Sequence, residues 1–192
     1  MTELVSTQYL ADLLEDANSR TLELVDGLNV EQLMGPKLPT VNPLLWEIGH
    51  VAWFYEQFIL RMLYHEEPLL ANGDDLYDSI DITHFARWDL PILQLDDAKQ
   101  YINSIKNKLI NRLGEISHHN MANEQDSFIY QFATFHEDMH TEAYTYSRNT
   151  LEYPLPNFAA ANALNMADVG TGPLPGDADI PGGEFTLGSR AD

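Results

Sequence analysis

The chain has 192 residues, 44% hydrophobic and 21% charged, which is enough apolar material for a sizeable core and too much for disorder throughout. Thirty acidic residues against ten basic ones leave a formal net charge of -20, which repels nucleic-acid phosphates and anionic membrane surfaces. There is no cysteine, so disulfides, thiolate metal ligands and a cysteine nucleophile are excluded.

The N-terminus lacks the basic stretch and apolar run of a secretory signal, and a soluble cytoplasmic protein is expected. The first predicted helix carries Leu10, Leu13, Leu14, Ala17, Thr21, Leu24 and Leu28 at three- and four-residue steps, one apolar stripe. The second opens with Asn42 as N-cap and Pro43 at the first helical position, and runs to about Tyr64. Its inward face is Leu45, Ile48, Ala52, Tyr55, Ile59 and Met62. Glu47, His50, Glu56, Gln57 and Arg61 interrupt it, so it is no membrane span. A crossover at residues 66–95, with Pro68, Gly73 and Pro91, is far longer than a bundle turn needs.

The third helix starts near Asp96, with Ala98, Tyr101, Ile102, Ile105, Leu109, Leu113 and Ile116 inward. The fourth spans about Glu124 to Leu151, with a stripe of Ile129, Phe132, His136, His140, Ala143 and Ser147. The short links predict antiparallel neighbours for helices one and two and for three and four. The crossover allows helices two and three to run parallel. The expected fold is an all-α four-helix bundle in up-down-down-up order. Residues 154–192 hold five of the ten prolines and six of the eleven glycines, an irregular tail read as a linker. At its end Phe185 and Leu187 alternate with polar residues as in a strand.

Chemistry is suggested by FHEDMH on the fourth helix. Histidines four apart share one helical face, so His136 and His140 can converge on one cation. The plain alternative is a pair of core histidines, but each buried neutral imidazole then needs a partner. The same letters fit a zinc-protease helix, with Glu137 as general base. That reading requires a third ligand on the C-terminal side, and no histidine follows His140. His50, in the middle of helix two, is the better third donor. If helices two and four face each other, His50, His136 and His140 form a three-histidine site with open coordination positions, suited to iron(II), zinc or nickel.

A histidine on helix two and an H-x-x-x-H pair on helix four of a bundle look like the DinB-like metal-binding superfamily. The stretches NPLLWEIGHVAWFYEQFILR, LYDSIDITHFARWDLPI and FHEDMHTEAYTYSRNTL resemble the N-terminal domain of ergothioneine-biosynthesis-type sulfoxide synthases. The tail IPGGEFTLGS resembles the opening strand of the formylglycine-generating-enzyme-like domain that comes next in those enzymes. The resemblance implies a metal-binding bundle at 1–153, then a linker and the start of a truncated second domain at 154–192. It implies a non-haem iron(II) site at His50, His136 and His140. The oxygen-dependent reaction it implies joins a thiol, or in selenoneine synthases a selenium donor, to a trimethylated histidine (histidine betaine). Arg87 matches an arginine region that holds a substrate carboxylate, and an exposed salt bridge is the alternative. Glu142 matches the family's H-x-E as a partner behind the ligands, against a solvated helix Glu; Glu137 is read as a surface charge. His84 would line the site entrance or be an ordinary loop histidine. Trp46, Trp53 and Trp88 read as packing rather than a cation cage, and His65, His118 and His119 receive no role.

With most of the partner domain lacking, metal binding without turnover is expected. Two other readings stand beside this one. The first is a stand-alone DinB-like thiol transferase or hydrolase using zinc or nickel, which the Pro/Gly tail disfavours. The second is a non-catalytic bundle that stores or senses a metal or forms a homodimer.

Overall fold

A computed structural model of the chain describes residues 4–115, 120–157 and 176–187. The helices are α1 (Thr7–Val25), α2 (Val30–Met34), α3 (Leu44–Tyr55), α4 (Gly73–Tyr77), α5 (Leu95–Glu115) and α6 (Glu124–Thr150). A π-helical turn, Glu56–Arg61, continues α3, and a 3-10 turn, His84–Trp88, lies in the crossover. Local signals set several boundaries. Ser6 caps α1 by accepting from the Tyr9 N–H, and Asn123 caps α6 by accepting from the Asp126 N–H. The short α2, unforeseen in the sequence, closes a capping box between Asn29 and Gln32 and stops at Gly35, whose φ is 59°.

The four long helices form the expected all-α bundle. α6 lies beside α1 and α3, and α5 lies beside the same two. Hydrogen bonds set the directions: Val5 reaches Ser127 while Arg148 reaches the Leu24 carbonyl, so α1 and α6 run parallel. Glu56 meets Tyr101 and Glu66 meets Arg112, so α3 and α5 are parallel too. Glu47 meets His140 and Tyr64 meets Asp126, which makes α3 and α6 antiparallel. The order is up-down-down-up. Two pairings differ from expectation: α5 and α6 occupy opposite corners rather than neighbouring ones, and so do α1 and α3. The segment between them includes α2 and is long enough to cross the bundle end.

Three further expectations are corrected. Met62 is 58% exposed rather than inward. The π turn inserts one residue into the helical ladder, rotating the residues after it by about 100° and bringing Leu60 inward beside Ile59. Asn42 does not cap α3: Pro43 takes that position and no side chain caps the helix, which frees the Asn42 amide for other partners. On α6, Phe132 is 44% exposed, and the fully enclosed residues are Ser127, Tyr130, Ala133, Thr134, Glu137, Tyr144 and Ser147. That stripe turns toward α1 and α5, while the histidine stripe faces α3. Apolar Ile129 and Phe132 pointed to the wrong centre because the core side of α6 is largely polar.

The core runs from Leu10, Leu14 and Leu24 through Ile48, Val51 and Tyr55 to Ile102, Ile105 and Leu109. Residues 176–187 belong to a separate unit and carry neither helix nor strand. A strand requires a paired neighbour, so this leaves the expectation for Phe185 and Leu187 open; Ile116, His118 and His119 lie outside the described residues. Among the described residues no helix is long and apolar enough to cross a membrane.

Candidate metal centre

Every residue of α3 is buried, from Leu44 to Tyr55. A helix apolar all round belongs inside the protein, which makes its two ionisable side chains, Glu47 and His50, conspicuous. Gly49 permits the local packing. A Cβ there would come within 2.2 Å of the Tyr77 ring, so glycine lets the end of α4 press against α3. That contact brings the Tyr77 carbonyl to 2.8 Å from His50 Nδ1, which must donate to it. The Nε2 lone pair of His50 is therefore left for another partner.

His136 and His140, one turn apart on α6, meet His50 across the α3–α6 interface. Ring centroids are 5.2 Å (His50–His136), 4.9 Å (His50–His140) and 4.6 Å (His136–His140) apart. One ring nitrogen from each falls within 4.8 Å of the others, an arrangement that could hold a metal ion. The donors also fit a cation chemically. His136 Nδ1 and His140 Nε2 are buried with no hydrogen-bond partner among the described residues, and His140 Nδ1 donates toward Glu47 Oε2 at 3.4 Å. Burial, with the neighbouring imidazoles adding to it, lowers His50 to about 3 and His136 to about 2. Both are thus neutral at ordinary pH, the form that ligates.

Aromatic rings fix the donors in place. Trp46 stacks on His50 with centroids 4.8 Å apart, and Phe54 stacks on His136 at 3.6 Å. Trp53 packs against the other side of His50 and donates its indole N–H to Asp74. Trp88 donates to the Gly35 carbonyl, in a packing role. Arg87 is half-buried, its guanidinium 4.0 Å from the Trp46 ring centre, and donates to Asn42 Oδ1 at 2.7 Å. Among the described residues it makes no salt bridge, and its Nε is buried without a partner. Burial lowers its pKa, against the opposing pull of Glu47.

The remaining sequence candidates sit farther out. His84 donates to the Leu38 carbonyl at 2.8 Å and packs against Phe85 and Trp88. Glu142 is exposed on a groove with Leu24, Thr145 and Arg148, and no described hydrogen bond joins it to the histidines. His65 lies past the π turn with a φ of 57°. Glu137 is no surface charge: it is fully enclosed and bound by Thr21, Tyr55 and Lys106. The residues missed in the sequence are Glu47 and Asn42. The available signal was a carboxylate three residues before His50 in an otherwise apolar run.

Known proteins resemble this chain in two ways. The DinB superfamily matches residues 13–143. A hercynine oxygenase of Mycolicibacterium smegmatis is 29% identical over 98% of this chain and 42% of its own length. Another hercynine oxygenase, of Mycobacterium tuberculosis, is 29% identical over 84% of this chain and 37% of its own. The chain thus spans less than half the length of these relatives.

Proposed function

The chain belongs to the DinB superfamily, and on that footing we propose that it is the iron(II)-binding part of an oxygen-dependent oxidoreductase acting on hercynine, the betaine of histidine. The reaction joins a thiol sulfur, or a selenium donor, to the imidazole carbon of that substrate. The observation that carries the reading is the cluster of His50, His136 and His140, with ring nitrogens within 4.8 Å of one another. Three neutral nitrogen donors and no thiolate suit a reactive rather than a structural site. The name of the relatives supports hercynine as substrate.

Iron held by these nitrogens would supply the redox chemistry with dioxygen; zinc or nickel fits the same donors. The chain's own residues do the rest. The Tyr77 carbonyl and Glu47 hold the tautomers of His50 and His140, so that Nε2 of each is unprotonated. Trp46 and Phe54 wall the cluster and keep water from its flanks. Arg87 is the group we assign to a substrate carboxylate, with His84 beyond it at the entrance; for Glu142, the family motif is the sole support. Residues 1–153 are assigned to the metal-binding bundle, and 154–192 to a linker and the start of a second domain. Aligning two substrates supplies much of such a rate, and that task is assigned to the bundle and the second domain together. The protein is expected in the cytoplasm.

Metal analysis after anaerobic loading with iron(II) tests the reading: about one iron per chain is expected, lost in His50→Ala, His136→Ala and His140→Ala. Retention of wild-type iron by two of these variants would place the metal elsewhere. Mixing the loaded chain with oxygen, a thiol and hercynine should give no sulfoxide above the enzyme-free control. Zinc-dependent turnover of a thiol without oxygen would replace this reading by a thiol transferase.

A further inference from the structure

We propose that Glu47 is the positioning carboxylate of the histidine cluster, orienting His140 and supplying the negative charge that a cation on those rings requires. The proposal rests on the reading of that cluster as a metal site and concerns this chain's own residues.

Glu47 is 1% exposed, inside a helix with no exposed residue. Burying a carboxylate is expensive unless a cation or several donors compensate it. The other two fully enclosed glutamates are so compensated. Glu137 has Lys106, Tyr55 and Thr21. Glu56 accepts from the Leu69 N–H at 2.5 Å and the Tyr101 hydroxyl at 2.6 Å. Glu47 has less: the Asn42 amide at 2.9 Å and His140 Nδ1 at 3.4 Å. Among the described residues no Lys or Arg pairs with it directly. The Arg87 guanidinium feels the Glu47 charge but donates to Asn42 instead.

The missing positive charge has an obvious place. His140 lies between Glu47 and the centre of the cluster, with its Nδ1 toward the carboxylate and its buried Nε2 without a partner. At 3.4 Å the link is longer than an ordinary hydrogen bond, so charge matters more in it than hydrogen-bond strength. A carboxylate behind a ligating histidine fixes the ring and makes its other nitrogen a stronger donor. His50 has a neutral carbonyl in that position and His136 has only the face of Phe54. Glu47 is therefore the charged support of the cluster, and Asn42 holds its second oxygen.

Cobalt(II) is the probe, because its visible spectrum reports ligand geometry. In Glu47→Gln, cobalt affinity should fall about tenfold to a hundredfold and the visible bands should shift. The urea midpoint of the metal-free protein should be unchanged or higher, because a buried unpaired charge has been removed. Glu47→Asp should recover part of the affinity, and Asn42→Ala should lose several-fold while leaving the charge in place. Wild-type affinity and spectrum in Glu47→Gln would overturn the proposal. A fall in metal-free stability with affinity intact would reduce Glu47 to a structural residue and overturn it equally. If the unaltered chain binds no cobalt, the metal reading itself fails.

Discussion

On one face of α6, Glu137 is enclosed and each of its oxygens is engaged, by Thr21 at 2.8 Å on one side and by Tyr55 at 2.8 Å and Lys106 on the other. One residue before it and three after, His136 and His140 point across to α3, and His136 Nδ1 and His140 Nε2 have no hydrogen-bond partner among the described residues. Both faces put polar groups out of reach of water, but the Glu137 carboxylate closes its network internally and the two histidines do not. A closed network is spent on holding helices together. An open one is free to receive a ligand. The difference separates framework from site more sharply than burial does, since Glu47, His50, Glu137 and Lys106 are all buried.

The comparison breaks most visibly if the closed network is opened. Lys106→Ala strands the Glu137 carboxylate, and unfolding free energy should drop by about 3–5 kcal/mol in urea titrations. Replacing both partners, as in Lys106→Met with Glu137→Leu, should recover much of that loss. A second, smaller break comes from Gly49→Ala. Its Cβ would sit 2.2 Å from the Tyr77 ring, and overpacking of this kind costs about 1–3 kcal/mol. Because the clash displaces the Tyr77 carbonyl from His50, metal affinity should fall in the same variant.

The open face should respond to pH. His50 and His136 have folded-state pKa values of about 3 and about 2, below the ordinary 6.5. Between those values the unfolded chain takes up protons that the folded chain refuses, so their contribution is fully present above pH 6.5 and is lost as pH falls below it. Urea midpoints of the metal-free protein should decline from pH 7.5 to 5.5, and His50→Asn should flatten the decline. Smallest of all should be the cost to the metal-free fold of replacing His136 by Asn, within about 1 kcal/mol. Calorimetry of the same variant should show metal binding lost. A large loss of stability there would make the histidines framework after all.

How much of the molecule was legible in the sequence depends on where each signal lives. The four long helices show in apolar spacing because each lays one stripe on a shared core. The π turn does not show, since a single inserted residue leaves the period on either side intact. The rotation of α6 was misread because a buried Glu137 becomes plausible only with Lys106, on another helix, in view. The three histidines that meet in the structure could be singled out because an imidazole in an apolar helix and an i, i+4 pair are both local patterns. Glu47 and Asn42 were missed for the converse reason. Asn42 before Pro43 reads as a cap, and its tie to Arg87 and Glu47 depends on where the crossover folds back.

The antiparallel meeting of α3 and α6 also bears on the order of assembly. Glu47 and His140 are 93 positions apart in the chain, and a contact closing so long a loop must wait until much of the entropy of closure has been met by other contacts. A nascent or partly folded chain can present His136 and His140 together as soon as α6 winds, but it gains His50 only when the last corner of the bundle docks. Tight uptake of a metal is then expected to mark the completed molecule, with partly folded copies left to bind it as weakly as a bare pair of histidines.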